Sequence, residues 1–373
     1  MLVLAGIAAI CALIGIVQQI AGTILVQRFV AAPVAPPLAR PPASILKPLC
    51  GVDPLTEQAL ESFFLLDYPD YQLVFGVQSE TDPVLAVVET LRARYPAQEV
   101  ALVVDATQYG SNRKISNLIN MQREARHEVL VISDADIHVP PYFLDRVISA
   151  LEVPGVGLVT SLYTALPGTP ATATRLGANQ INYSFLPGAL LAREMGRQDC
   201  LGVTMAMTST VLEDVGGLRA VVNNLADDQV MGRLVLARGY KLTLAQLVPA
   251  TTVPEADFRA LFRHELRWAR TIRALVPLPY ATSVLQISLL WSALAILFSW
   301  GAIWAWVLLA AALITRVLAA RRIDAALRLP TSSGPGLFLL RDSLSTIIFI
   351  ASFTGSRVDW RGQMMQADPG KLR

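Results

Sequence analysis

A mostly parallel α/β domain carried between apolar helices at both ends of the chain is the fold class that the sequence predicts, and three observations predict it. Leu2 to Val26 contains no charged residue, and at about 1.5 Å per residue such a helix crosses a hydrocarbon core about 30 Å thick. Between residues 44 and 162 short apolar runs alternate with helical patterns, as parallel strands buried on both faces require. Beyond residue 283 the chain turns strongly apolar again. Composition agrees: 53% of the 373 residues are hydrophobic and 16% charged, with a mean hydropathy of +0.47. That is too apolar for an ordinary soluble protein and too varied for a bare bundle of spans.

Taken in order, Leu2–Val26 (domain 1–28) reads as a membrane helix rather than a cleavable signal, because no basic segment precedes it and the apolar run is long. Arg28, Arg40 and Lys47 follow, so the positive-inside rule puts the N-terminus outside and the next domain in the cytoplasm. The run "AAPVAPPLARPP" is a stiff Pro-rich spacer (29–43). Strands are predicted at "SILKPL" (Ser44–Leu49), "YQLVFGV" (Tyr71–Val77), "VALVVDA" (Val100–Ala106), "EVLVIS" (Glu128–Ser133) and "VGLVTSL" (Val156–Leu162). Asp53-Pro54 and Asp82-Pro83 start helices as an Asp cap followed by Pro, and Pro140-Pro141 opens another. The water-exposed domain is expected over 44–260, with its sites at the carboxyl ends of the strands.

After an interfacial Arg/Trp helix (261–281), Ser283–Trp300 and Ala302–Leu318 read as a transmembrane hairpin (282–319) joined at Gly301. In the last region (320–373), Gly336–Gly355 is interrupted by Arg341 and Asp342. Its uninterrupted part, Ser343–Gly355, has thirteen residues, fewer than the roughly 17 that span a bilayer. A re-entrant or interfacial segment with a cytoplasmic C-terminus is expected.

A formal net charge of +2 carries no nucleic-acid signal. Three cysteines without a C-x-x-C pair, and three scattered histidines, argue against a disulfide framework or a structural zinc site.

The strongest motif is "VLVISDADIHV", in which Asp134 and Asp136 emerge at the end of a strand. Period-two alternation puts both on one face, where two carboxylates repel unless a hard divalent cation neutralises them. Turn capping is the competing use of such aspartates. Upstream, "DATQYGSNRKISNLI" leads through a polar loop bearing Arg113 and Lys114 into a helix near Ser116. A cation beside helix-start amides makes an anion site, while a solvated loop lysine is the alternative; neither a P-loop nor a G-x-G-x-x-G fingerprint is present. Asp227 and Asp228 stand at the first turn of an apolar-striped helix, where capping explains one acid and leaves the other for catalysis. In "FRHELRWARTIRA", Arg263, Arg267, Arg270 and Arg273 fall on one helical stripe, with Leu261, Trp268 and Ile272 on another. The arginines can meet lipid phosphates at an interface, or stabilise charge on a leaving pyrophosphate.

The order of Lys114, D-x-D, acidic helix start and "HELRW", flanked by one N-terminal span and a few C-terminal ones, resembles the ceramide glucosyltransferase-like glycosyltransferases. The likeness runs from about Leu46 to Gly362 and includes "KPLCGVDPLTEQALESFFLLDYPDYQLVFGVQSETDP", "NRKISNLIN", "GVGLVTSL" and "DWRG". It is most similar to bacterial members, including those that transfer N-acetylglucosamine to hopanoid polyols. The resemblance implies a GT-A-type nucleotide-sugar domain. It implies that Asp134 meets the nucleotide side, Asp136 holds Mg²⁺ or Mn²⁺, Lys114 meets the nucleotide or diphosphate, and Asp228 is the general base. Asp227 and Arg270 would join the donor-binding set. Arg267 and Trp268 would belong to a Q/R-x-x-R-W element whose first position is His264 here. Ser79 stands where the family has its first acid, with Glu80 or Asp82 as substitutes, although Asp82 also caps Pro83.

The implied activity is inverting transfer of one sugar, glucose or N-acetylglucosamine, from a UDP-sugar to the hydroxyl of a membrane lipid, ceramide or hopanoid polyol, at the bacterial cytoplasmic membrane. A processive polysaccharide synthase would need more C-terminal spans than are evident. A non-catalytic scaffold with a decayed domain would be expected to lose acids that this chain keeps.

Overall fold

The computed structural model describes residues 1–330 and 334–355, and the backbone of 357–360 and 363–366. Helix α1 (Leu2–Ala31) comes first. Strands and helices then alternate through β1 (Ala43–Pro48), α2 (Thr56–Phe64), β2 (Tyr71–Val77), α3 (Val84–Arg94), β3 (Val100–Val104), α4 (Arg113–Gln122), β4 (Val129–Ser133), β5 (Ile137–His138), α5 (Phe143–Leu151), β6 (Val156–Thr160) and β7 (Thr164–Pro167). Next are α6 (Thr172–Gln180), a π-helical turn (Ile181–Phe185) and α7 (Leu186–Glu194). The chain returns to β8 (Thr204–Thr208), α8 (Ser209–Asp214), α9 (Asp227–Ala237), β9 (Lys241–Leu244) and β10 (Ala250–Val253). Helices α10 (Phe258–Leu275), α11 (Pro277–Thr282), α12 (Ser288–Phe298), α13 (Ile303–Leu327) and α14 (Pro335–Ser352) follow, then a hairpin of β11 (Arg357–Trp360) and β12 (Gln363–Gln366). The terminal "DWRG" lies partly outside the described residues.

The chain divides into two compact units. The sheet unit comprises Ala32–Gly168 and Arg197–Pro254. Its seven-stranded sheet has the order β3-β2-β1-β4-β8-β6-β9. Strands β3, β2, β1 and β4 run parallel, β8 is antiparallel to both its neighbours, and β6 pairs parallel with β9. Alternation builds two cores. Ile45 and Val131 face a cluster with Phe63, Phe75 and Phe143, while Leu46 and Ile132 face one with Leu118, Leu158 and Met205. A second sheet, β5-β10-β7, follows the end of β4.

Local chemistry moves two predicted helix starts. Helix α2 begins at Thr56, after Leu55 in the left-handed region (φ 65°), because the Asp53 carbonyl accepts from Thr56 N at 3.1 Å. Helix α4 begins at Arg113, ahead of the predicted Ser116, because Asn112 caps it: its Oδ1 accepts from Ile115 N at 3.0 Å. The Pro-rich spacer lies along α5, with Arg40 2.6 Å from Asp145 and the amides of Leu38 and Ala39 on Glu152 at 2.8 and 2.9 Å.

The helical unit takes in Met1–Ala31, Thr169–Gly196 and the chain from Glu255 onward. Residues 169–196, expected within the catalytic domain, belong here because α1 and α7 approach closely: a Cβ on Gly22 would lie 2.7 Å from Pro187 Cβ. Helices α1, α13 and α14 are long and apolar enough to cross a membrane, and the chain is an integral membrane protein. Ser283–Trp300 is not one straight helix, since Pro277–Gln286 and α12 meet at a 66° bend. The joint to α13 falls where expected, with Gly301 at φ 78°. Helix α14 runs unbroken through Arg341 and Asp342 because both charges are paired. Arg341 donates to both Glu265 oxygens, each at 2.8 Å, and Asp342 pairs with Arg316. The same pairing turns α10. Its buried face is Leu261, Glu265 and Ala269, whereas Ile272, predicted on the apolar face, is 42% exposed.

Candidate active site

Strand β4 stops at Ser133 and the chain turns, so period-two alternation does not continue through the D-x-D. The expectation that Asp134 and Asp136 share one strand face is therefore corrected. Asp134 Oδ1 meets Lys114 Nζ at 2.6 Å, while Asp136 accepts a hydrogen bond from the Thr251 hydroxyl of β10. The two acids still sense each other: burial, then the charge of Asp134, pushes the Asp136 carboxyl above its usual range.

Behind this turn stands Lys47, which the sequence pattern offered only as one of the positive charges after the first helix. It lies in β1, fully buried, with Nζ donating to the Asp134 carbonyl at 2.7 Å and sitting 3.7 Å from the Phe63 ring centroid. Burial pushes its ammonium down to about 7, against the attraction of Asp136 and Asp134. The signal was available: a lysine inside a strand buried on both faces needs a partner.

Lys114 is no solvated loop lysine. It sits in the first turn of α4, its side chain 18% exposed, with Asp227 Oδ2 at 3.8 Å besides Asp134. Burial, which would lower its pKa, is outweighed by Asp134, Asp227 and Asp228, so the ammonium is held above its usual range.

Asn112, passed over by the sequence reading, brings the two halves of this site together. While its Oδ1 caps α4, its Nδ2 donates to Asp227 Oδ1 at 3.0 Å and to the Asn224 carbonyl at 2.8 Å. Gly110 permits that approach, since a Cβ there would lie 2.8 Å from the Val222 carbonyl oxygen. An Asn immediately before an Arg-Lys pair was a legible cap.

Neither acid at the start of α9 caps it; Ala226 holds the cap position with no side-chain bond. Asp227 faces Asn112 and Lys114. Asp228 accepts from Gly202 N at 2.9 Å through Oδ2 and from Gln229 N at 2.8 Å through Oδ1. Burial and then the charge of Asp227 push its carboxyl up to about 7. Asp227 is raised as well, chiefly by burial. Lys114, Asp134, Asp227 and Asp228 thus form one cluster with more negative charge than positive.

Asp82 is engaged elsewhere in the sheet unit. Both its oxygens accept from Gly51 N at 3.0 Å and Oδ1 accepts from Val84 N at 3.0 Å, tying the β1–α2 loop to the start of α3. Ser79 and Glu80 are exposed.

The remaining predicted residues lie on α10 in the helical unit. His264 Nδ1 bonds Glu255, and its ring meets Trp268 edge-on at 4.5 Å and 70°. Arg267 and Arg270 are partly exposed and Arg263 is exposed, while Arg273 donates to the Gly355 carbonyl at 2.7 Å.

No group of three or more His, Cys, Asp or Glu side chains that could hold a metal occurs among the described residues. One or two carboxylates are nonetheless what Mg²⁺ takes when phosphates and water complete its shell. Asp134 and Asp136 offer that number, and the raised carboxyl of Asp136 marks negative charge that a cation would relieve. Two such carboxylates would suit a divalent ion whose remaining ligands come from outside the protein.

Among solved structures, the chain is similar to a mannosyltransferase from Pyrobaculum calidifontis in complex with GDP-Man and Mn²⁺, at 21% identity over 94% of each chain, with a TM-score of 0.50. That likeness shows a shared GT-A-type fold. In sequence it is similar to ceramide glucosyltransferase 1 of Caenorhabditis elegans, 25% identical over 251 residues, or 65% of this chain and 52% of the relative. Ceramide glucosyltransferase 3 of the same organism is 26% identical over 244 residues, 64% of this chain and again 52% of the relative. The chain thus spans about half the length of these curated relatives. A family profile matches residues 7–373, and the chain belongs to glycosyl transferase family 21.

Proposed function

We propose that this chain moves a single sugar, with inversion, from a UDP-sugar to the hydroxyl of a membrane lipid. The observation that carries the reading is Asp228, a buried carboxyl pushed up to about 7 and held by two backbone amides beside the Lys114–Asp134–Asp227 cluster. A carboxylate with that affinity is suited to take a proton near neutral pH. Asp228 accepts the proton of the acceptor hydroxyl as its oxygen bonds to sugar C1, and the bond from C1 to the diphosphate oxygen breaks. Lys114 meets the charge on the departing UDP. One base and one displacement invert C1, so an α-linked donor yields a β-glycoside. A divalent ion held by Asp134 and Asp136 would neutralise the diphosphate when bound.

Glucose and N-acetylglucosamine are the candidate sugars, and ceramide or a hopanoid polyol the candidate acceptors. The ceramide glucosyltransferases among the relatives support the lipid class. The basic residues Arg28, Arg321, Arg322 and Arg328, near the ends of α1 and α13, support a cytoplasmic catalytic domain; a bacterial inner membrane is the location proposed. The test is UDP release by purified protein given each UDP-sugar with each lipid, with mass spectrometry of the product and Asp228→Asn as control. A lipid bearing one β-linked sugar is expected. A polymeric product would establish the synthase instead, and absence of release from every pair would end the transferase reading.

A further inference from the structure

Only Ser161, Leu162 and Tyr163 separate β6 from β7, and each end of that short link is tied to one of the carboxylates that the proposed transfer needs. On the β6 side, Thr160 Oγ1 accepts from Leu201 N at 3.0 Å and donates to the Leu201 carbonyl at 2.8 Å. The next residue, Gly202, donates its N–H to Asp228 at 2.9 Å. On the β7 side, Thr164 N donates to the Pro249 carbonyl at 2.9 Å, and Ala165 pairs in register with Thr251, whose hydroxyl donates to Asp136. An extended chain covers at most about 3.6 Å per residue, so Thr160 and Thr164 stand no more than about 14 Å apart. The link thus runs from the mounting of Asp228 to the mounting of Asp136.

Burial singles out one side chain within it. Ser161 is fully buried and Leu162 nearly so. Tyr163 packs against the core cluster that holds Phe63 and Phe143, yet keeps part of its surface exposed. Its phenol is held above the usual range by burial and then by the charges of Asp228, Asp136 and Asp134, in that order. The hydroxyl therefore lies within reach of the charge of the base and of both D-x-D acids.

That neighbourhood has an occupant in the transfer proposed above, on which this inference rests. The acceptor oxygen bonds to C1 at Asp228 while the departing diphosphate lies with the D-x-D acids, so the sugar ring occupies the space from one to the other. A tyrosine suits such a ligand, because its ring offers apolar area to the C–H face of a sugar and its hydroxyl both donates and accepts. A further carboxylate there would add to a cluster that is already negative, and an aliphatic side chain would leave sugar hydroxyls without a partner.

We propose that Tyr163 is a sugar-contact residue, which holds the hexosyl group of the nucleotide sugar between Asp228 and the D-x-D turn through its ring and hydroxyl. It touches neither uridine nor diphosphate. It therefore contributes to the binding of a UDP-sugar and not to that of UDP.

The experiment is calorimetry on the full chain in detergent with Mn²⁺, using UDP, UDP-glucose and UDP-N-acetylglucosamine, and its reading is the ratio of the UDP-sugar Kd to the UDP Kd. Tyr163→Phe removes the hydroxyl and keeps the ring, and is expected to raise that ratio about fivefold. Tyr163→Leu removes the ring as well and is expected to raise it about tenfold or more. The UDP Kd is expected to stay within about twofold in both variants. Tm is recorded alongside, since a tyrosine that only fills the core would lower Tm and leave the ratio unchanged. If Tyr163→Leu does not fold, Tyr163→Phe decides alone. A ratio unchanged in both variants, or UDP binding lost in step with UDP-sugar binding, would overturn the proposal. Transfer to lipid is measured on the same samples. A raised ratio with no glycosylated lipid from the wild type leaves the contact standing and ends the transferase reading. Ratio and transfer both unchanged in the variants do the reverse, and a wild type that binds no UDP-sugar ends both.

Discussion

Replacing Asp228 by Asn keeps the shape of the side chain and removes its capacity to take a proton. The carboxylate accepts from Gly202 N and Gln229 N through separate oxygens. The amide retains one acceptor, so one buried N–H loses its partner at a cost of about 1–3 kcal/mol at every pH. A second effect varies with pH. The folded-state pKa of Asp228 is about 7 against an ordinary 3.8, so the folded protein holds this proton more tightly than the unfolded chain. That stabilisation is complete below the ordinary pKa and is lost as pH rises through about 7. The variant lacks it, so the excess of wild-type Tm over variant Tm is expected to narrow as pH is raised from about 5 to about 8. In turnover, loss of a general base lowers kcat by about 10²–10⁴, or roughly 3–5 kcal/mol of barrier, with UDP-sugar binding intact. Wild-type kcat/KM is expected to rise about tenfold per pH unit below the Asp228 pKa and to level above it. The assay is UDP release at saturating lipid, with donor affinity measured separately. Near-normal kcat in Asp228→Asn alongside an inactive Asp227→Asn would refute the assignment and move proton transfer to Asp227.

Chelation by EDTA is expected to abolish transfer and Mn²⁺ or Mg²⁺ to restore it, while Asp136→Ala resists rescue; full activity in chelator would remove the metal from the scheme. Arg267→Lys keeps the charge and loses the planar fork, so a diphosphate contact lowers kcat by about tenfold or more while Arg263→Lys, at an exposed position, stays mild. Small, equal effects at the two sites would instead assign the stripe to lipid phosphates. Glu265→Gln leaves Arg341 buried without its counter-charge and is expected to cost about 3–5 kcal/mol, read as a fall in Tm in detergent that Arg341→Met combined with Glu265→Leu largely restores. An unchanged Tm in the single variant would show that the pair contributes little.

Much of the sheet unit was legible because its strands are buried on both faces and therefore read as apolar runs. Tyr71–Val77 is β2 residue for residue, and the strands predicted at Ser44, Val100, Glu128 and Val156 fall within two residues of the observed bounds. The family resemblance was legible from motif order, which survives where identity is low. What escaped were contacts between segments distant in sequence. Nothing local says that Asn112 donates to Asp227, or that Lys47 supports the Asp134 carbonyl. The apolar face of α10 was misjudged because Glu265 becomes a core residue once Arg341 neutralises it. The helical segment 169–196 was placed with the sheet because its contact with α1 depends on Gly22 and Pro187, two residues that carry no periodic signal.

The adjacent Arg341 and Asp342 of α14 constrain how the chain is built as well as how it is held. Each finds its partner in a segment synthesised earlier, Glu265 in α10 and Arg316 in α13. Arriving alone, α14 would carry both charges into lipid at about 2.5–3.5 kcal/mol each on insertion scales. Arriving after its partners, it completes two ion pairs that have been waiting half-made. A nascent chain stopped before Pro335 would hold Glu265 and Arg316 without the opposite charges that α14 brings to them.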